Sequence, residues 1–288
     1  MAFLSEAKIQ ELEIKANDIR ESIISMLLEA GSGHTAGPLG MADVFTLFYF
    51  HILNHDPKDP FWDGRDRLVL SNGHICPVLY ATMAHSGYFP VSELKTLRKF
   101  GSRLQGHPHR EYMHWLENSS GPLGSGLSQA VGMALADRID KKDGDRYIYC
   151  FMSDGELDEG NSWEAITLAG KNKLRNLIAI VDRNNIQIDG FTENIMPLEP
   201  LTDKWRAFNW HVIEVSGHDF GGLNEAISEA QAVYEKPTVI IAHTVPGKGV
   251  REFERDYRWH GKAPNKEEAK LALDELRTLG GKIRSEHE

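Results

Sequence analysis

Five short apolar segments recur along the chain, and longer segments with apolar residues at helical spacing separate them. The apolar segments have the length and composition of buried strands and cover residues 67–70, 147–152, 177–181, 212–215 and 238–242. The other segments predict helices at residues 5–29, 41–53, 77–85, 126–141, 198–208, 222–234 and 266–279, and one more around residues 163–169. This alternation predicts an α/β fold with a mostly parallel sheet and helices on both faces.

Two of these segments depart from ordinary amphipathic patterning. The predicted helix at residues 41–53 is apolar on nearly every side, so we expect it to be buried inside the domain or between subunits. Residues 100–120 have no clear periodicity, and a loop of this length in a compact domain is usually functional.

The second and third predicted strands form a β-α-β unit, and each is followed by an oxygen-bearing side chain. Asp154 follows residues 147–152, and Asn184 follows residues 177–181. A right-handed crossover places the carboxyl ends of both strands at one edge of the sheet, so these side chains can meet there. A carboxylate and an amide carbonyl suit a hard cation such as Mg²⁺, which usually also binds phosphate oxygens. The alternative is that Asp154 caps a helix and Asn184 begins a tight turn.

Polar groups follow the other predicted strands as well, and ligands bind at this edge of open α/β sheets. The residues that follow the five strands are Asn72-Gly73-His74, Asp154-Gly155, Asn184-Asn185-Ile186, Gly217-His218-Asp219, and His243 with Lys248. The glycine-rich segment 121–126 opens a predicted helix, and helix N-termini bind phosphate. By itself its G-x-x-G-x-G spacing matches neither the dinucleotide fingerprint nor the P-loop and favours a plain turn and helix cap. Together, these features suit a magnesium-linked diphosphate.

Composition narrows the classes of partner and compartment. The formal net charge of −10 disfavours a nucleic-acid partner. No apolar run is long enough for a membrane span, and the N-terminus lacks the pattern of a secretory signal. The two cysteines, Cys76 and Cys150, need no role beyond packing, so we expect a reducing cytoplasm. No repeat or linker divides the chain, which predicts a single domain over residues 1–288.

Several motifs together resemble the transketolase family of thiamine-diphosphate enzymes, roughly over residues 19–264. The matching segments are Ser32-Gly33-His34, Ser71-Asn72-Gly73-His74, Gly106-His107-Pro108, Gly121-Pro122-Leu123-Gly124, Asp154-Gly155-Glu156, Glu159-Gly160, Trp163-Glu164-Ala165, residues 184–190, and His260-Gly261. One residue departs from the pattern, because Ser153 stands where the family usually has glycine. We expect a local backbone adjustment there and no loss of metal binding.

The resemblance implies a thiamine diphosphate-binding fold and a role for each matching residue. Asp154, Asn184 and the carbonyl of Ile186 would hold Mg²⁺, or Ca²⁺ or Mn²⁺ in its place. His34, His107 and His260 would act as catalytic residues at the reacting carbons of the sugar. The residues implied to bind the cofactor are His74, Gly121, Pro122, Leu123, Gly124, Asp154, Gly155, Glu159, Asn184 and His260. Among these, Glu159 resembles a buried acid near the subunit interface. Taken singly, each histidine could instead be an ordinary loop residue.

The resemblance also implies an activity and an assembly. The reaction is transfer of a two-carbon ketol unit from a ketose phosphate to an aldose phosphate, as in the pentose phosphate pathway. The pyrimidine-binding and C-terminal domains are expected to be absent from this chain. It would therefore be the N-terminal subunit of a split transketolase, self-associating and completed by a C-terminal subunit into a heterotetramer.

Three alternatives remain at the level of sequence. One is the α-type subunit of a 2-oxoacid dehydrogenase or a decarboxylase, which would share the metal motif. Another is a transketolase for an uncommon sugar. The last is a non-catalytic cofactor-binding protein.

Overall fold

The central feature of the fold is a five-stranded parallel sheet. The computed structural model describes residues 3–142 and 146–282. The strands of this sheet are β1 (Arg67–Leu70), β2 (Ile148–Ser153), β3 (Leu177–Arg183), β6 (His211–Ser216) and β7 (Thr238–His243). Their order is β1-β2-β3-β7-β6, and every neighbouring pair is parallel. All five predicted strands and the parallel sheet are confirmed.

Helices cover both faces of the sheet, as predicted. They are α1 (Glu6–Ala30), α2 (Ala36–Gly40), α3 (Ala42–Leu47), α4 (Cys76–His85), α5 (Ser125–Ile139), α6 (Gly160–Asn172), α7 (Thr192–Ile195), α8 (Leu201–Ala207), α9 (Phe220–Ala232) and α10 (Lys266–Lys282). Alternate residues of β2 point to opposite faces. Tyr149 and Phe151 pack in a core with α1, α3, α4 and α9, whereas Cys150 and Met152 pack in a second core with α5, α6 and α8. Within the described residues, no helix has the length and apolarity needed to cross a bilayer.

The apolar segment at residues 41–53 lies inside the chain. Helix α3 passes into a π-helical turn, Phe48–Ile52, and residues 42–49 are buried. Phe48 contacts Tyr149 and Phe151 of β2, with ring centroids 5.0 and 4.9 Å apart. Of the two expected locations, burial inside the domain is the one observed. The apolarity of this segment therefore gives no support to a subunit interface.

Some element boundaries differ from the sequence prediction. The helix predicted at residues 198–208 begins only at Leu201, after Pro200, because the residue before a proline disfavours helical geometry. A short antiparallel hairpin, β4 (Ile186–Gln187) with β5 (Gly190–Phe191), follows β3 and was not predicted. Residues 97–124 contain no helix or strand, which confirms the long irregular loop.

Candidate active site

The carboxyl ends of β2 and β3 bring Asp154 and the Asn184-Asn185 turn together, as the crossover predicts. Ser153 pairs with Asp182, and the Asp154 amide donates to the Asp182 carbonyl at 3.1 Å. Asp154 is fully buried, and its Oδ2 accepts a hydrogen bond from the Asn185 amide at 2.8 Å. Burial raises the pKa of the Asp154 carboxyl, and the neighbouring Arg183 opposes that shift.

The oxygens of this edge suit a hard cation. Within the described part of the chain, Asp154 Oδ1 accepts one hydrogen bond, from the Gly155 amide at 2.7 Å, and Asn184 Oδ1 accepts one, from the Ile186 amide at 3.0 Å. Each oxygen therefore keeps acceptor capacity. Within residues 3–142 and 146–282, no cluster of three or more His, Cys, Asp or Glu side chains forms a metal site. One carboxylate with amide and carbonyl oxygens is a donor set for Mg²⁺ or Ca²⁺.

The glycine-rich turn before α5 lies close to this edge and cannot carry side chains at its key positions. Gly124 has φ +79°, and a Cβ there would lie 2.0 Å from Asn161 Oδ1. Pro122 is exposed and Leu123 half-buried, whereas Gly124 is buried. A Cβ on Gly73 would lie 2.5 Å from Ser120 Oγ. Glycine at these two positions thus lets the turn pack directly against Asn161 and lets the segment after β1 pack directly against Ser120.

Several buried polar atoms beside this turn have no hydrogen-bond partner within the described structure. They are both side-chain polar atoms of Asn72, Ser120 Oγ and Asn161 Oδ1. Buried polar atoms are normally paired, so unpaired atoms gathered around a glycine-rich turn indicate a place for a polar ligand. The residues present therefore fit a diphosphate linked to a cation.

Glu156 is a buried acid in this site that the sequence reasoning missed. It is fully buried, and its carboxylate accepts hydrogen bonds from the Ser71 hydroxyl, from the Gly124 amide at 2.5 Å and from the Ser153 amide at 3.2 Å. These contacts join the ends of β1 and β2 to the glycine-rich turn. Ser153 is the last residue of β2, and its amide donates a hydrogen bond to the Glu156 carboxylate.

Glu159 has a different environment from the one expected. It is exposed at the N-cap of α6, without a side-chain capping bond. Its burial against another protomer stays a prediction.

Four histidines from distant parts of the sequence form a cluster at the same edge. His34 follows α1, His74 lies in a 3₁₀ turn after β1, His107 is in the long loop, and His260 follows the 3₁₀ turn Tyr257–Trp259. The ring centroids of His34 lie 5.0 Å from His74, 5.4 Å from His260 and 6.5 Å from His107. The structure thus brings together the four histidines that the sequence motifs singled out.

Burial keeps these rings neutral near physiological pH. It lowers the pKa of His34 to about 3, with His260 and Arg98 adding to the effect, and the pKa of His260 to about 4. Burial also lowers the pKa of His74 well below its ordinary value and lowers that of His107. A neutral imidazole donates from one nitrogen and accepts at the other. Among the residues that the structure describes, His34 Nδ1 is buried without a hydrogen-bond partner, so this atom is available to a ligand.

Two other histidines near strand ends, His218 and His243, make hydrogen bonds to residues of the fold. His218 Nδ1 bonds Asp43 Oδ2 at 2.7 Å, and its Nε2 accepts from the Val245 amide at 2.8 Å. Both nitrogens of His218 are therefore occupied, and His243 pairs with Glu214 at 3.1 Å. Both histidines thus have partners within the fold, and a contribution of either to the ligand site stays a prediction.

Comparison with known proteins identifies the family. The profile described as "Transketolase, thiamine diphosphate binding domain" matches residues 12–279. The chain is 42% identical to a 6-deoxy-6-sulfo-D-fructose transketolase subunit of Clostridium sp. (strain MSTE9), over 96% of this chain and 100% of the relative. It is 37% identical to an apulose-4-phosphate transketolase subunit of Phocaeicola vulgatus, over 97% of this chain and 99% of the relative.

Longer transketolases match over part of their length. The transketolase structure from Campylobacter jejuni superposes with a TM-score of 0.87 at 37% identity, over 93% of this chain and 43% of that one. Transketolase 2 of Escherichia coli is 41% identical, over 91% of this chain and 40% of the relative. The chain spans about two fifths of these proteins. Since its motifs, its parallel sheet and its family profile agree, the chain belongs to the transketolase family, as a thiamine diphosphate-binding domain.

Proposed function

We propose that this chain is the N-terminal, diphosphate-binding subunit of a split transketolase. With a separate C-terminal subunit it transfers a two-carbon ketol unit from a ketose phosphate to an aldose phosphate. The observation that carries the proposal is the four-histidine cluster beside the Asp154–Asn184 edge. Relatives that match over nearly their whole length and are named as transketolase subunits support it. A non-catalytic protein would have no need to keep this cluster.

The proposed cofactor is thiamine diphosphate with Mg²⁺, or with Ca²⁺ or Mn²⁺. Asp154, Asn184 and the Ile186 carbonyl hold the cation. His74, His260, Gly155 and the turn Gly121–Gly124 surround the diphosphate. When bound, the cofactor would supply a carbanion on its thiazolium ring as the nucleophile, and the cationic ring would stabilise the negative charge that forms as a carbon–carbon bond breaks.

The histidines of this chain orient the sugar and move protons. His34 and His260 exchange a proton with the hydroxyl or carbonyl oxygen at the bond that is broken or made. Because their rings are neutral, one nitrogen can donate a hydrogen bond to that oxygen while the other accepts one. His107, at the exposed side of the cluster, holds a hydroxyl of the donor sugar.

The remaining elements of the proposal concern assembly and location. The chain associates with itself and with the C-terminal subunit to form a heterotetramer, and it works in the cytoplasm on sugar phosphates of carbohydrate metabolism such as the pentose phosphate pathway. An uncommon-sugar transketolase is the second candidate, and the sugars named for the Clostridium and Phocaeicola relatives favour it. The family profile gives no support to a 2-oxoacid dehydrogenase component.

Copurification tests the proposal directly. The tagged chain, isolated from its native extract, should bring with it a protein that supplies the pyrimidine-binding domain and confers ketol transfer on the mixture. Assays with common and uncommon sugar phosphates then separate the two candidates. Copurification with a 2-oxoacid dehydrogenase component, with oxidative decarboxylation as the activity, would contradict the proposal.

Replacing His107 with alanine should separate sugar binding from cofactor binding. The ring lies at the exposed side of the cluster, so cofactor affinity should stay nearly unchanged while turnover falls by about 10²-fold or more, or KM rises. Steady-state kinetics and calorimetry on the assembled complex measure both quantities. The exposed His114 of the same loop provides a matched control, His114→Ala. A loss of cofactor affinity as large as the loss of activity would place His107 on the cofactor side of the site instead.

A further inference from the structure

The proposed metal ligand Asp154 is paired with a buried arginine side chain, that of Arg183. Arg183 is the last residue of β3, and its side chain is 3% exposed. Its Nη1 donates to Asp154 Oδ2 at 3.0 Å. The same oxygen accepts from the Asn185 amide at 2.8 Å and from Thr192 Oγ1 at 3.4 Å. Oδ2 is thus surrounded by three donors of this chain.

The other end of the guanidinium reaches a surface segment. Arg183 Nη2 donates to Glu193 Oε1 at 2.7 Å and to Glu199 Oε1 at 2.9 Å. These carboxylates are bound to their own segment, because Glu193 accepts from the Leu198 amide at 3.1 Å and Glu199 from the Leu201 amide at 2.8 Å. Arg183 therefore connects the buried metal ligand to residues 192–201.

The two oxygens of Asp154 are used differently. Arg183 binds Oδ2, whereas Oδ1 accepts only the Gly155 amide at 2.7 Å among the hydrogen bonds of the described residues. A cation on Oδ1 and the guanidinium on Oδ2 can therefore be present together. Partners that orient a metal ligand in this way typically contribute strongly to metal affinity.

We infer that Arg183 is a positioning residue for the metal site. It fixes the Asp154 carboxylate through Oδ2, leaves Oδ1 for the cation, and fastens residues 192–201 to the same carboxylate. Arginine suits this task because its planar fork can bond several carboxylates at once, which a lysine ammonium does less well. The inference rests on the proposed function, since it concerns the same cation.

The test compares Arg183→Met and Arg183→Lys in the assembled complex, by calorimetry with Mg²⁺ and thiamine diphosphate. We expect affinity to fall by about 10–100-fold in Arg183→Met, with a smaller fall in Arg183→Lys. Arg206→Met is the matched control, because Arg206 pairs with Asp203 at 3.1 Å on the exposed surface of α8. Its affinity should equal that of the wild type.

The outcomes separate positioning from two simpler roles. Arg183→Met could bind Mg²⁺ and cofactor as tightly as the wild type, yet unfold at a lower urea concentration without metal. That result would mean that Arg183 only stabilises the fold. Tighter binding would mean that Arg183 competes with the cation. Either result would overturn the inference.

A second variant keeps the test decisive if Arg183→Met fails to fold. Glu193→Gln with Glu199→Gln leaves Arg183 in place but removes the two charges that hold its guanidinium, so Asp154 should be fixed less firmly and affinity should fall by less than in Arg183→Met. An unchanged affinity there would equally count against the inference. Failure of the wild-type complex itself to bind the cofactor would instead contradict the proposed function.

Discussion

Replacing Asp154 with alanine is expected to abolish binding of thiamine diphosphate with Mg²⁺ to the assembled enzyme. Asp154 is the fully buried carboxylate at the carboxyl end of β2, and the cation would lose its charged protein ligand. The diphosphate would then face this edge without its bridging charge. We expect affinity to fall by more than about 10²-fold, beyond the effect of an orienting residue. Calorimetry with Mg²⁺ and the cofactor measures it.

The control must separate lost binding from lost folding. Among the described residues, removing Asp154 leaves the buried Arg183 paired with Glu193 and Glu199, and breaking such a buried pair costs at most about 3–5 kcal/mol of stability. Asp154→Asn keeps the shape and the acceptor oxygen, and circular dichroism reports whether each variant folds. Asp203→Ala, on the exposed surface of α8, should bind like the wild type. Unchanged affinity in a folded Asp154→Ala variant would rule out the metal assignment.

The second large effect is expected when the chain is purified by itself. It should associate with itself, bind thiamine diphosphate weakly and show no ketol transfer. On the proposed function, the four histidines and the glycine-rich turn would bind one side of the cofactor and the sugar, and the partner would supply the pyrimidine side. Adding the C-terminal subunit should restore both binding and activity, in proportion to complex formation by mass action. Coupled assays at increasing partner concentration follow the recovery.

Self-association needs its own measurement. Helix α3 is buried inside the domain, so its apolar surface does not indicate a subunit interface. Sedimentation of the isolated chain reports its oligomeric state. The Asp154→Ala chain mixed with the partner is a suitable negative control, since it should form the complex without activity. Ketol transfer by the chain alone at the rate of the mixture, with no copurifying protein, would refute the split-subunit proposal.

The sequence predicted the sheet and the site because both rest on local patterns. Each strand contains a mostly apolar run, and Asp154 and Asn184 are the residues that directly follow β2 and β3. Parallel pairing then places them at one edge without further information. The family motifs placed the histidines of the cluster in the same way.

Arg183 and Glu156 could not be predicted because their roles depend on partners far away in the sequence. Arg183 contacts Asp154, and Glu156 contacts Ser71 and Gly124. Their own neighbours in the sequence suggest only a polar turn. The same reason applies to His218, whose partner Asp43 lies on α3. Burial of a charged side chain is set by tertiary contacts, which local periodicity does not contain.

The parallel sheet also has a consequence for how the chain acquires its site during folding. Parallel neighbours are distant in sequence, since Arg67 pairs with Ile148 and Ile178 with Thr238. Closing such loops makes folding slow compared with helix formation. Helices can form early, but the edge that holds Asp154, Asn184 and the four histidines exists only once the strands are joined. The cofactor can therefore select the finished fold but cannot guide the early steps toward it.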